Sequence, residues 1–262
     1  MARPAVDVVV PHAGTRTAPH ANLALREGDT LHVEADPRRT GSYAARNRGA
    51  ARGSAPWILF LDDDVEAPAD LLDRLFDPPP AARTAVLAGG VRVAAGRSAA
   101  ARFAAARGVI DQETTADRGR WAFAQTACCA VRREAFEGVG GFREVRSGGD
   151  ADLCWRLRDA GWELVLRDGA AVVHHPRESV PALLRQLARH GSGAEWLDRE
   201  HPGSFPPRGR LGLSRWSTAR AAAGLGALAR GDRDAAIPAL LDGPATWVFE
   251  LGRHLPNQTR RR

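Results

Sequence analysis

Three consecutive carboxylates, Asp62-Asp63-Asp64, follow directly on the apolar run Trp57–Leu61. Adjacent like charges repel unless a counter-ion draws them together, and Asp62 and Asp64, at alternate positions, can converge on one hard divalent cation, Mg2+ or Mn2+, or on a metal and a ribose. The same triplet also suits a solvated acidic turn before a helix opening near Pro68, where carboxylates favour the helix dipole. A further carboxylate, Asp150, is delivered by the flexible pair Gly148-Gly149 to the start of a helix. There it can take a proton from an incoming hydroxyl, if the fold brings it to the Asp62–Asp64 edge, or simply cap the helix. His174 ends a short apolar run and can join Asp64 on a metal, although a lone histidine is more often structural.

Composition removes several other chemistries. All 37 strong cations are arginines and the chain has no lysine, so Schiff-base catalysis, a lysine general base and a lysine-tipped phosphate loop are excluded. A haloacid-dehalogenase-type phosphatase is set aside as well, because Glu66 stands where its Asp-x-Asp motif continues to Thr or Val, and its lysine is absent. Cys128, Cys129 and Cys154 have no metal-ligand spacing and read as free thiols in a reducing cytosol. A net charge of +6 over 262 residues, without a clustered basic stripe or an aromatic platform, gives no reason to expect nucleic acid. Alanine-rich runs are cut by arginine, so no membrane span is expected, and Met1–Val10 lacks the form of a secretory leader. The expected location is the cytoplasm.

The elements that must position these residues alternate. Val6–Val10, closed by Pro11, and Asp29–Ala35 read as strands. Ser42 reads as the cap of a helix to about Ala51, ended by Gly53, and Trp57–Leu61 as a buried strand. A turn-rich stretch around Gly14 and Pro19 separates the first two strands. Further on come a helix over Ala69–Phe76, a strand over Thr84–Val93, a helix over Arg97–Arg107, a strand over Trp121–Val131 and a short helix over Arg133–Glu137. A helix over Asp150–Ala160, burying Leu153 and Leu157, precedes short strands Trp162–Arg167 and Ala171–His174. From Ser179 the pattern is helical, broken at His201–Gly209. Strands alternating with helices predict a layered α/β sheet, whose ligands bind at the carboxyl ends of the strands, where the Asp62–Asp64 turn lies.

Ala45-Arg46-Asn47-Arg48-Gly49, then Trp57–Leu61 and Asp62-Asp63-Asp64, resembles the family 2 glycosyltransferases of GT-A fold, with their Ala-Arg-Asn-x-Gly helix before a strand ending in Asp-x-Asp. Arg132-Arg133-Glu134, Gly140-Gly141-Phe142, Asp150-Ala151-Asp152-Leu153, and His174 with Ser179 are similar to the later motifs of that family, in the same order. The resemblance runs from about Val6 to His190. It implies a three-layer α/β/α fold on a mixed, mostly parallel sheet, with a glycosyltransferase domain over 1–200 and a C-terminal helical appendage over 210–262. It also implies metal-dependent, inverting transfer of a sugar from a nucleotide-sugar donor to a hydroxyl-bearing acceptor. Asp62 would contact the donor ribose, Asp64 would hold Mn2+ or Mg2+ on the diphosphate with Asp62 and His174 near it, and Asp150 would be the base. Arg46, Asn47 and Asp63 would lie beside the nucleotide, and Pro11 would end the strand that floors it; Arg46 and Arg189 are the candidate cations for the diphosphate.

The departures are specific. The family usually inserts a long helix and a base-binding strand before the Ala-Arg-Asn helix, whereas only His12–Thr40 fills that interval here, with Glu34 or Asp36 as substitute contacts for the base. Gln186-Leu187-Ala188-Arg189-His190 lacks the tryptophan of processive members, so processivity is not expected. The tail Leu211–Arg262 suits packing on the acceptor side, dimerisation or peripheral contact with a membrane surface.

Overall fold

The computed structural model describes residues 3–12, 22–36 and 41–259. The turn expected around Gly14 and Pro19 and the terminal Arg260–Arg262 lie outside the described residues. The chain forms two compact units, one of residues up to Arg92 with Ile110–His175 and the last residues from Gln258, the other of Val93–Val109 with Pro176–Asn257.

The first unit is built on a seven-stranded sheet of order β2-β1-β3-β6-β5-β7-β4, comprising β1 (Val6–His12), β2 (Thr30–Ala35), β3 (Trp57–Leu61), β4 (Val65–Glu66), β5 (Thr84–Val93), β6 (Cys128–Arg132) and β7 (Glu163–His174). Both faces of β1 and β3 are covered, as the apolar runs Val8–Val10 and Trp57–Leu61 require, and Asp7 of β1 is buried in an ion pair with Arg133 at 2.6 Å. On one face Val6, Val8, Val10, Leu59 and Leu61 pack with Leu71, Leu72 and Leu75 of helix α2 (Leu71–Leu75). On the other, the Phe60 ring meets Phe136 and Phe142, with centroids at 5.5 and 5.0 Å. Helix α1 (Ser42–Ala50) lies against β1 so closely that a Cβ at Gly49 would come within 2.4 Å of Val9. Helices α4 (Gln112–Ala116), α5 (Arg133–Gly138) and α6 (Gly149–Asp159) complete the unit; α3 (Ala99–Arg107) belongs to the second.

Several boundaries differ from expectation. β1 runs on through Pro11, because its pairing with β3 stops at Val9 and Pro11 pairs only with Glu34 of β2, so the missing N–H costs the central ladder nothing. The helix cap is Gly41, at φ 103°, and Ser42 is the first helical residue. Gly53 does not act as a helix stop; its site is pressed against the Asp7 carboxylate, 2.1 Å from where a Cβ would stand. The strand expected from Trp121 is confined to Cys128–Arg132, since Trp121 sits in a 3-10 turn with its ring 4.9 Å from Trp155. The two short strands expected over 162–174 are one, β7. The mixed sheet is as expected: β2, β1 and β3 pair in parallel, β6 runs antiparallel to both β3 and β5, and β4 runs antiparallel to β7.

The second unit contains α3, α7 (Val180–Glu200), α8 (Arg210–Ala229) and α9 (Arg233–Gly252). Ser179 caps α7 by accepting from the Ala182 N–H at 3.4 Å, and Ala100, Phe103, Leu183 and Ala245 form its apolar cluster. Asp242, buried on α9, accepts both nitrogens of Arg107 at 2.7 Å and Arg220 Nε at 2.6 Å. No helix among the described residues is long and apolar enough to cross a membrane.

Candidate active site

The acidic turn is stitched to the far end of the sheet. β4 begins at Val65, pairs antiparallel with β7 at His174, and the His175 N–H donates to the Asp64 carbonyl at 3.0 Å. This brings the Asp64 carboxylate to 3.4 Å from His174 Nε2, with both side chains less than a tenth exposed. A residue of the acidic turn and the last residue of β7, distant in sequence, thus form an oxygen and imidazole pair at one edge.

Asp62 faces elsewhere. Its carboxylate is ion-paired with the guanidinium of Arg46, which is 3% exposed. Among the described residues no group of three His, Cys, Asp or Glu side chains is arranged to hold an ion, so the expected set of Asp62, Asp64 and His174 is not assembled. What is assembled, Asp64 with His174, still fits a hard divalent cation of the kind bound through one or two protein ligands plus substrate phosphates. Asp63 points toward β1, with its Oδ2 3.5 Å from His12 Nδ1, and Pro11 is buried one residue before.

From Arg46 a line of contacts leads to the second carboxylate. The guanidinium carbon lies 5.3 Å over the ring of Tyr43, and the Tyr43 hydroxyl donates to Asp150 Oδ1 at 3.0 Å. Tyr43 and Arg46 share one face of α1 by their three-residue spacing. Gly149 permits the approach, since a Cβ there would sit 2.9 Å from the Tyr43 ring. Asp150 is the second residue of α6; the cap is Gly148 in the left-handed region, φ 87°, so the helix-cap role considered for Asp150 is not the one adopted. Burial pushes the Asp150 carboxyl above the ordinary carboxylate range, against the Ala151 N–H, the Tyr43 hydroxyl and the charge of Arg46, which pull it down. The phenol of Tyr43 is raised as well, by burial and then by Asp150. Nearby Cys128 and Cys154 are buried thiols pushed up to about 12, so they stay protonated at neutral pH.

Asn47 has a structural role in the same helix. Its amide donates to the Phe142 carbonyl at 2.8 Å and accepts from the Phe142 N–H at 3.0 Å, tying α1 to the Gly140-Gly141-Phe142 turn. Arg156 holds the other side of that turn through the carbonyls of Val139 and Gly141, at 2.6 and 2.7 Å, and is itself oriented by buried Asp152. Glu34, offered as a substitute contact for a base, is paired with Arg52 at 2.6 Å, and Asp36 accepts from the Gly41 N–H at 2.8 Å. Arg189 lies on α7, in the second unit. Tyr43 and His12 are the site residues not anticipated. Tyr43 is the chain's single tyrosine, one helical turn before Arg46, and that spacing was the available signal.

Comparison with known proteins agrees with this geometry. The family model described as "Glycosyltransferase like family 2" matches residues 6–193. A pre-mycofactocin glycosyltransferase of Mycobacterium tuberculosis is 32% identical over 209 residues, covering 76% of this chain and 44% of that protein. Glycosyltransferase AglE of Haloferax volcanii is 29% identical over 168 residues, 63% of this chain and 54% of that one. The chain therefore spans about half the length of these curated relatives. Among solved structures, a mannosyltransferase of Pyrobaculum calidifontis in complex with GDP-Man and Mn2+ superposes with a TM-score of 0.53 at 15% identity, over 94% of this chain and 79% of that one, a likeness of GT-A fold. With the Ala-Arg-Asn helix, the acidic turn at the end of β3 and Asp150 at the start of α6 all inside the matched span, the chain belongs to glycosyltransferase-like family 2.

Proposed function

We propose that the protein transfers a sugar from a nucleotide-sugar donor to a hydroxyl-bearing acceptor, with inversion and with the help of Mn2+ or Mg2+. The observation that carries the reading is the continuous line Asp62, Arg46, Tyr43, Asp150, which joins the carboxylate assigned to the donor to the one assigned to the acceptor. The catalytic domain is taken as residues 1–200, with 210–262 as an appendage. The Mn2+ and GDP-mannose of the archaeal mannosyltransferase support a metal and a nucleotide-sugar, though not this particular base or sugar.

In this reading Asp62 accepts from the ribose, held in place by Arg46, and Asp63 with His12 borders the nucleotide at the end of β1. Asp64 and His174 hold the divalent ion, which when bound offsets the charge of the departing diphosphate. Asp150 takes the proton of the acceptor hydroxyl as that oxygen attacks the anomeric carbon from the face opposite the diphosphate, and inversion follows from that direction of attack. Its raised carboxyl makes it a stronger base than an exposed aspartate, while Tyr43 orients the oxygen it binds. Asn47, Asp152 and Arg156 act indirectly, by fixing the turn that leads into α6.

A panel of nucleotide-sugars assayed for nucleoside diphosphate release, with wild type and Asp150→Asn side by side, tests the proposal. Release by wild type that is lost in the variant is expected. Equal turnover by the two proteins rules Asp150 out as the base, and no release with any donor favours a non-catalytic binding protein of this fold.

A further inference from the structure

The stretch from His201 to Gly231 contains five arginines, Arg208, Arg210, Arg215, Arg220 and Arg230, and no aspartate or glutamate. Most of it is helix α8, which is covered along one side only. Leu213, Gly224 and Ala227 are buried, and a Cβ at Gly224 would lie 2.7 Å from Leu240 of α9, so this line is the seam between the two helices. At 100° per residue, Leu211, Ala222 and Leu225 fall on the opposite side of the helix. Leu211 is 76% exposed and Leu225 60%, and one flank carries Leu228 at 49%, while Trp216, 42% exposed, lies nearer the seam. An outward helix face in a water-soluble unit ordinarily carries mixed charge. Here it carries Leu211, Ala222 and Leu225 with Ser214, Thr218 and Arg215, and its only charges are arginines.

We infer that α8 docks on an anionic membrane surface, its outward leucines entering the headgroup boundary and Arg210, Arg215 and Arg230 meeting lipid phosphates. Arg210, Arg215 and Arg230 are exposed, and none has a carboxylate partner among the described residues, so their charge is open to an external anion. Arg208 and Arg220 are the exceptions, being paired with Glu250 and Asp242. Exposed leucines among and beside arginines suit a helix lying in the interface plane, and long guanidinium side chains reach the phosphates while their stems stay on the apolar side. A second copy is a poorer occupant. Two such faces brought together would set arginine against arginine, with no acid in the stretch to pair them. The inference does not depend on the proposed transfer reaction, because binding is read without turnover.

The test is co-sedimentation of the full chain with vesicles of phosphatidylcholine alone and of phosphatidylcholine with phosphatidylglycerol. Binding to the anionic vesicles only, weakened by raising the salt concentration, is expected for the wild type, and this part requires no variant. Leu211→Glu with Leu225→Glu should abolish it, and Arg215→Gln should weaken it by about fivefold, as one arginine near a charged surface contributes. Neither change touches the seam with α9, and the helical circular dichroism of each variant should match wild type. Arg92→Gln, which removes the same charge from the other unit, should leave binding unchanged. Equal binding to both vesicle types, no binding to either, or an equal loss in Arg92→Gln and Arg215→Gln would overturn the inference. So would self-association of wild type that disappears in the leucine double variant without any vesicle binding.

Discussion

The hydroxyl of Tyr43 donates to Asp150 Oδ1 at 3.0 Å, on a ring that also lies beneath the Arg46 guanidinium. A hydrogen bond to a carboxylate favours its ionised form, and here it opposes the burial that raises the Asp150 carboxyl. Removing it in Tyr43→Phe leaves burial less opposed, so the carboxyl rises further. The acid limb of kcat/KM should move to higher pH, by about one pH unit for a bond to a charged acceptor. An acid limb at the wild-type position in Tyr43→Phe would show that Asp150 does not control it.

Asp150→Asn should lower transfer by about 10²–10⁴-fold, the usual contribution of a positioned base, and leave donor binding in place. It should also stabilise the fold at neutral pH. The folded-state carboxyl is raised above its ordinary value, so the aspartate's contribution to stability is full below its unfolded pKa and is lost as pH rises through the folded one. The advantage of Asn over Asp should therefore be least in acid, grow through that window and level off above it. Urea unfolding at acid and neutral pH measures it; an advantage that shrinks with rising pH would contradict the assignment.

Arg46 is buried and its partner Asp62 is partly open, the side chains being 4% and 29% exposed. Arg46→Met leaves Asp62 without its cation and removes the packing over Tyr43. Because Asp62 keeps some water, the loss of stability should fall toward the low side of a fully buried pair, on the order of 2–3 kcal/mol. Adding Asp62→Asn to Arg46→Met should recover part of it. Chemical denaturation of the two proteins decides the point, and an Arg46→Met variant as stable as wild type would mean that the pair is only a surface contact.

Gly49→Ala examines the fold apart from the chemistry. A Cβ there would press to 2.4 Å from Val9 and 3.1 Å from Glu34, so α1 must back away from β1 at a cost of about 1–3 kcal/mol. The thermal midpoint should fall while donor affinity at low temperature holds. A variant of unchanged midpoint would show that α1 is free to shift.

These residues also show what the sequence could and could not reveal. β3 and β5 have the bounds expected of them, since an apolar run buried on both faces and ended by charge leaves little freedom. The meeting of Asp64 with His174 rests on β4, two residues long, which has no periodicity to read. Arg46 is legible as a site residue only through the Ala-Arg-Asn-x-Gly resemblance, and its commitment to Asp62 depends on how α1 packs. The clamp that Asn47 places on the Phe142 backbone has no signal in sequence, since an amide that serves a nucleotide and one that fixes a turn look alike. The single strand β7 was read as two because Asp168 and Gly169 imitate a turn, yet the chain passes straight through them.

In the proposed donor site Asp64 and His174 work through a divalent ion. Calorimetric titration of GDP and UDP into wild type, His174→Ala and Asp64→Ala, each with Mn2+ and again after chelation, addresses it most directly. Binding of at least one nucleoside diphosphate by wild type only when Mn2+ is present, weakened in His174→Ala and lost in Asp64→Ala, is the predicted result. Binding that survives chelation, or that Asp64→Ala leaves intact, would contradict it.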